Sequence, residues 1–162
     1  MRSPHVAASR LGQLAAALVA VIAGVHFQQY VDFISEVPTV GVLFLLNAAG
    51  GAGLVVALLS PDRTLRLLAA LGAIGIAAGS LVSIAIALSG SFFGYQEPTI
   101  RLPIVIAIIA EAAAIPVLAV LALRERPTPG ALLRQGDAED PTDQELAAAA
   151  GRYVERAVSM PL

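Results

Sequence analysis

Near the middle of the apolar run 100–123 stands a single carboxylate, Glu111. An ionised side chain at that depth of a bilayer costs roughly 3 kcal/mol or more, so such a group faces a bundle interior or a water-filled cavity. Its chemistry would be to carry a proton, to ligate a cation, or to accept a hydrogen bond from a neighbouring helix. Helical rise places its candidate partners. Asn47 lies nine residues inward from Pro38 and Glu111 nine inward from Leu102, which puts both roughly 13 Å below the outer ends of their helices at 1.5 Å per residue. Ser80, nine before Ser89, reaches a similar depth, while Ser83 and His26 lie about 9 Å down. Each apolar segment therefore offers a polar group in the same half, and the other half offers almost none beyond Gln13.

Two readings of this set compete. In the functional one, Glu111 is a proton carrier or cation ligand, His26 is its partner, and Asn47 with Ser80 or Ser83 completes the hydrogen bonds of a small polar cavity. The distance between His26 and Glu111 then decides whether the pair is charged. In the structural one, Glu111 makes one interhelical hydrogen bond that fixes helix register; such bonds average about 0.6 kcal/mol in membranes. Serine hydroxyls can also satisfy themselves on their own helix backbone. One histidine within the apolar spans and no cysteine supply too few ligands for a transition-metal or haem site, so neither a metal nor a cofactor is expected.

The elements that must position these residues follow from composition. The chain has 162 residues, is 57% hydrophobic and only 14% charged, which is more apolar than a soluble domain of that size. Spans are expected at about 10–30, 38–60, 65–89 and 101–123, each near or beyond the ~20 residues a helix needs to cross the hydrocarbon core. The runs are continuous and not alternating, which disfavours a β-barrel. The expected fold is an all-α membrane protein, an antiparallel four-transmembrane-helix bundle. With the N-terminus inside, nine of the ten Arg are cytoplasmic and Arg101 alone is outside, so the positive-inside rule puts both termini in the cytoplasm. Segment 1–9 precedes the bundle, 10–123 forms it, and 124–162 is a cytoplasmic tail. The first span is read as retained, because Val25-His26-Phe27 offers no small-residue cleavage site for a signal peptidase.

Local signals refine this outline. The first helix is expected to continue through polar residues as far as Pro38, which can begin the second. Glycines Gly50, Gly51 and Gly53 in the second span, and Gly75 and Gly79 at GxxxG spacing in the third, are expected to pack helices closely within the chain, or at a dimer face. Pro116 removes one backbone donor five residues after Glu111 and favours a kink. Arg101 follows Glu97 by four residues, and an exposed pair of that kind contributes little. In the tail, an acidic patch precedes Thr142-Asp143-Gln144-Glu145, whose capping-box spacing could open a short amphipathic helix to about Val158.

HFQQY, EVPTVGVLFLLN and FFGYQEPTIR, followed by AEAAA, resemble a group of small, uncharacterised four-span membrane proteins of actinobacteria. The resemblance covers roughly residues 10–123 and implies only the four-span bundle, with no activity attached; the expected location is the bacterial plasma (inner) membrane.

No nucleophile elbow, zinc-protease motif or phosphate-binding loop is present, so no enzyme is expected, and no basic patch supports nucleic-acid binding. The expected function is binding or helping to transport a proton, cation or small ligand at the Glu111–Asn47–His26 site. The alternative is a noncatalytic scaffold or accessory subunit of a membrane complex. Expected partners are the lipid bilayer and a second copy or another membrane protein, because four spans leave little interior volume.

Overall fold

The computed structural model describes the backbone of residues 5–126 and the side chains of residues 10–126; the expected tail helix and acidic patch lie outside these residues. Four helices account for nearly all of it: α1 His5–Gln29, α2 Pro38–Leu58, α3 Arg63–Ser89 and α4 Leu102–Glu125. Each contains a segment long and apolar enough to cross a membrane. Short connections make successive helices antiparallel. α1 packs on α2 and α4, and α3 on α4 and more sparsely on α2, so α1 and α3 are diagonal.

The ends of the helices follow local chemistry. α1 does not run straight to Pro38 as expected; it widens into a π-helical turn over Tyr30–Ile34, closed by the Ser35 N–H on the Tyr30 carbonyl at 3.0 Å. The change of phase tucks Ile34 inside while Val31 and Phe33 stay exposed. Its carbonyl lies where α2 passes closest: a Cβ on Gly41 would sit 2.7 Å from the Ile34 oxygen, so only glycine fits. Val37 is extended before Pro38, as a residue preceding proline must be. Asp62 caps α3, its carboxylate accepting the Leu65 N–H at 2.6 Å, which satisfies one of the free amides of the first turn. α4 runs unbroken through Pro116 to Glu125.

The hydrophobic core is built mainly from alanine. Ala15, Ala16, Ala69, Ala70, Ala73, Ala77, Ala110, Ala114 and Ala122 form it with Val19, Ile22, Leu58, Leu118 and Leu121. Small side chains let backbones approach closely, which is how helices associate where lipid is as apolar as the helix surface. Large apolar side chains point outward instead, with Val56 at 73% and Ile109 at 63% exposure.

Alanines hold positions that the sequence reading gave to glycines. A Cβ on Gly51 would meet the Ala23 Cβ at 2.9 Å, so Gly51 is a close-packing residue, whereas one on Gly50 would meet Ile76 at an ordinary 3.6 Å. At Gly53, Gly75 and Gly79 an added Cβ would meet nothing within 4 Å. The expected tight intramolecular packing at those three is therefore corrected. On α3 the face towards α4 is the alanine row 69, 73 and 77; Gly75 and Gly79 fall on another side, where α2 stands off.

Candidate functional site

α1, α3 and α4 converge on one buried polar cluster in the half of the bundle that carries the α1–α2 and α3–α4 connections. Glu111 has no solvent exposure, His26 3% and Ser80 6%. The His26 Nδ1–H donates to the Ile22 carbonyl one turn earlier at 2.9 Å. A carbonyl only accepts, so this bond fixes the proton on Nδ1 and leaves Nε2 facing the cluster. The Ser80 hydroxyl is 3.2 Å from Nε2 and donates to it when the ring is neutral. Glu111 Oε1 lies 4.0 Å from the same nitrogen. Neither oxygen of Glu111 has a hydrogen-bond partner. Phe44 on α2 covers the imidazole, its ring centroid 5.0 Å away.

The two bases, 4.0 Å apart, could share a single proton. With the proton on Glu111 both groups are neutral; with it on Nε2 they form an ion pair. The cluster has zero net charge either way, so transfer between them avoids placing a single uncompensated charge in the interior, which costs several kcal/mol.

The five residues picked out by depth thus part company. His26, Ser80 and Glu111 meet. Ser83 turns its hydroxyl to the Gly79 carbonyl at 2.8 Å, satisfying itself on its own helix. Asn47 is half-buried and lines, with His26, Ser80 and Gly75, an open groove of about 580 Å³ between α2 and α3. Equal depth did not bring it to Glu111, because it projects from α2 towards α3 and not towards α4.

Sequence reasoning missed two participants, Gln29 and Tyr95. Gln29, one turn from His26 on α1, is 4% exposed, and its side-chain oxygen has no partner. An orphaned polar atom of this kind costs about 1–3 kcal/mol unless water or a ligand meets it. Its position i+3 from His26 was a usable signal. Tyr95 forms a roof with Glu97 and Arg101. Phe93 and Gly94 both adopt positive φ, 49° and 82°, closing a tight turn that pairs Phe92 with Tyr95 through mutual backbone hydrogen bonds of 2.8 and 3.0 Å. The turn folds the connection back over the bundle. There Arg101 grips Glu97 with two hydrogen bonds of 3.2 and 3.0 Å, and the Tyr95 hydroxyl donates to Glu97 at 2.7 Å. The Glu97 side chain is only 8% exposed, and Arg101 also stacks 4.4 Å above the Phe33 ring. The expectation of an exposed, weak pair is corrected: partial burial and three donors make it a built contact. Loss of solvent, then the bond to Glu97, pushes the Tyr95 phenol up to about 12, so Tyr95 remains a donor. The carboxylate of Glu97 holds the Arg101 guanidinium above its usual range.

At the opposite end a second buried carboxylate, Glu125, takes a fork of hydrogen bonds from Arg66 at 2.9 and 3.0 Å. Arg66 also donates to the carbonyls of Ser60 and Pro61. Arg63 donates to the carbonyls of Arg124, Glu125 and Arg126. Cations and donors at these helix C-termini satisfy free carbonyls and oppose the helix dipoles.

Fold and site together define an all-helical bundle of four membrane-length helices with a His–Ser–carboxylate cluster in its interior. No protein-family model, curated protein or solved structure matches this chain.

Proposed function

We propose that the protein is a multi-pass protein of a bacterial plasma membrane, of actinobacterial type, with both termini cytoplasmic, and that its His26–Ser80–Glu111 cluster binds and relays a proton. The observation that supports this reading is Glu111, fully buried, free of hydrogen bonds and 4.0 Å from the imidazole nitrogen. A buried group meant only to fix packing would be expected to have its hydrogen bonds made. A metal cation suits the geometry less well, since it would need several oxygen or nitrogen ligands and no group of three His, Cys, Asp or Glu comes together among the described residues. The asymmetry of arginine supports the orientation: Arg63, Arg66, Arg124 and Arg126 gather at one end, and Arg101 stands at the other.

Infrared spectroscopy of the protein in lipid vesicles tests the proton site. A protonated-carboxyl band that changes with pH in wild type and vanishes in Glu111→Gln is the expected result. A band that never changes with pH, or none that depends on Glu111, would remove the proposal.

The alternative is a scaffold or accessory subunit that associates with a second copy or another membrane protein. It draws support from the groove between α2 and α3, where Gly75 and Gly79 leave open backbone. A pH-invariant Glu111 band together with a stable oligomer in detergent would favour it.

A further inference from the structure

His26 lines two neighbouring spaces that share part of their lining, and Glu111 lines neither. Of the cluster, His26 borders both spaces and Ser80 borders the groove alone, so the two spaces are rival routes for a proton exchanging with Glu111. One is the wide groove between α2 and α3, which on the reading above opens sideways to lipid. The other is a small cavity of about 60 Å³ beneath the connection between α3 and α4, bounded by Gln29, Phe44, Tyr95, Glu97 and Arg101 as well as His26.

Three observations favour the small cavity. Its volume is enough for water, which needs about 10–15 Å³ of such space. The unpartnered, nearly fully buried oxygen of Gln29 belongs to its wall and is an acceptor that a water would satisfy. Gln29 also follows His26 by three residues, so both side chains lie on one face of α1. The remaining wall is largely apolar, which would confine water to the polar side where Gln29 and His26 stand.

Resting on the proton-site reading, we infer that this cavity is a water-holding vestibule. Gln29 anchors the water that connects His26 to the loop end of the bundle, and the Tyr95–Glu97–Arg101 contact is its cover. Glu111 passes its proton to Nε2 of His26, the proton on Nε2 exchanges with one of the anchored water, and the exchanged proton returns to Glu111, so each cycle leaves both residues as they began.

The test is the rate at which the Glu111 carboxyl proton exchanges with deuterium. It is followed by the isotope shift of its infrared band after transfer of vesicles into D2O. Gln29→Leu should slow exchange tenfold or more without moving the pH midpoint of the band, which a merely structural disturbance would shift. Arg101→Ala, which uncovers the cavity, should speed exchange, and it decides the matter if Gln29→Leu fails to fold. Asn47→Leu, in the groove, should exchange like wild type. Wild-type rates in both Gln29→Leu and Arg101→Ala, or slowing only in Asn47→Leu, would overturn the vestibule and leave the proton site standing. Absence of any Glu111-dependent band would remove both.

Discussion

Glu111 and Glu125 sit on the same helix, fourteen residues or about four turns apart, and both are buried, at 0% and 6% exposure. Their surroundings are opposite. Glu125 is saturated: Arg66 grips both oxygens and Arg63 comes within 3.5 Å. Glu111 has no hydrogen bond at all, and a histidine 4.0 Å away. A saturated buried carboxylate ties elements together. An unsaturated one keeps its protonation open. Burial alone therefore does not tell the two carboxylates apart; the count of donors does.

The sharpest way to break this contrast is to remove a donor from the saturated side. Arg66→Met leaves Glu125 short of its main partner and the Ser60 and Pro61 carbonyls bare, and should cost about 3 kcal/mol of stability, as removal of one member of a buried pair does. Reversible unfolding in mixed detergent would read this. Glu111→Gln in the same assay should unfold close to wild type, and equal losses in the two variants would erase the distinction between the carboxylates.

A smaller effect separates the packed glycines from the open ones. Gly51→Ala forces a Cβ against Ala23 and should lower stability by about 1–3 kcal/mol, the range for overpacking. Gly75→Ala should cost nothing within one chain. If Gly75→Ala instead lowers the oligomer mass in detergent, the groove is an interface between chains.

The smallest effect comes from the serines. Ser80→Ala removes a hydrogen bond between helices worth about 0.6 kcal/mol, and should shift the pH midpoint of the Glu111 band. Ser83→Ala removes a bond to its own helix and should leave that midpoint unchanged. A shift of the same size in both would mean that the Ser80 hydroxyl is not part of the cluster.

Much of the architecture is written in one dimension. Four apolar runs of membrane length, the turn at Ser60-Pro61-Asp62, the proline starts of α2 and α4 and the depth of Glu111 all depend on local composition and a constant rise per residue. These determine how many helices form and how far along each a residue sits. They leave open which way a residue points. Azimuth decided that Ser80 meets His26 while Asn47 and Ser83, at similar depths, do not, and that alanines and not Gly75 and Gly79 face α4. Tertiary structure alone also brought Glu97 and Arg101 under cover, because that burial depends on a turn with positive φ at Phe93 that no pattern of hydropathy encodes. The same holds for Glu125, whose neighbours in sequence suggest an exposed interfacial charge but whose fourfold contacts come from the start of α3. The physical reason is common to all of these: rise along a helix is fixed by its backbone hydrogen bonds, whereas rotation about its axis is fixed only by what packs against it.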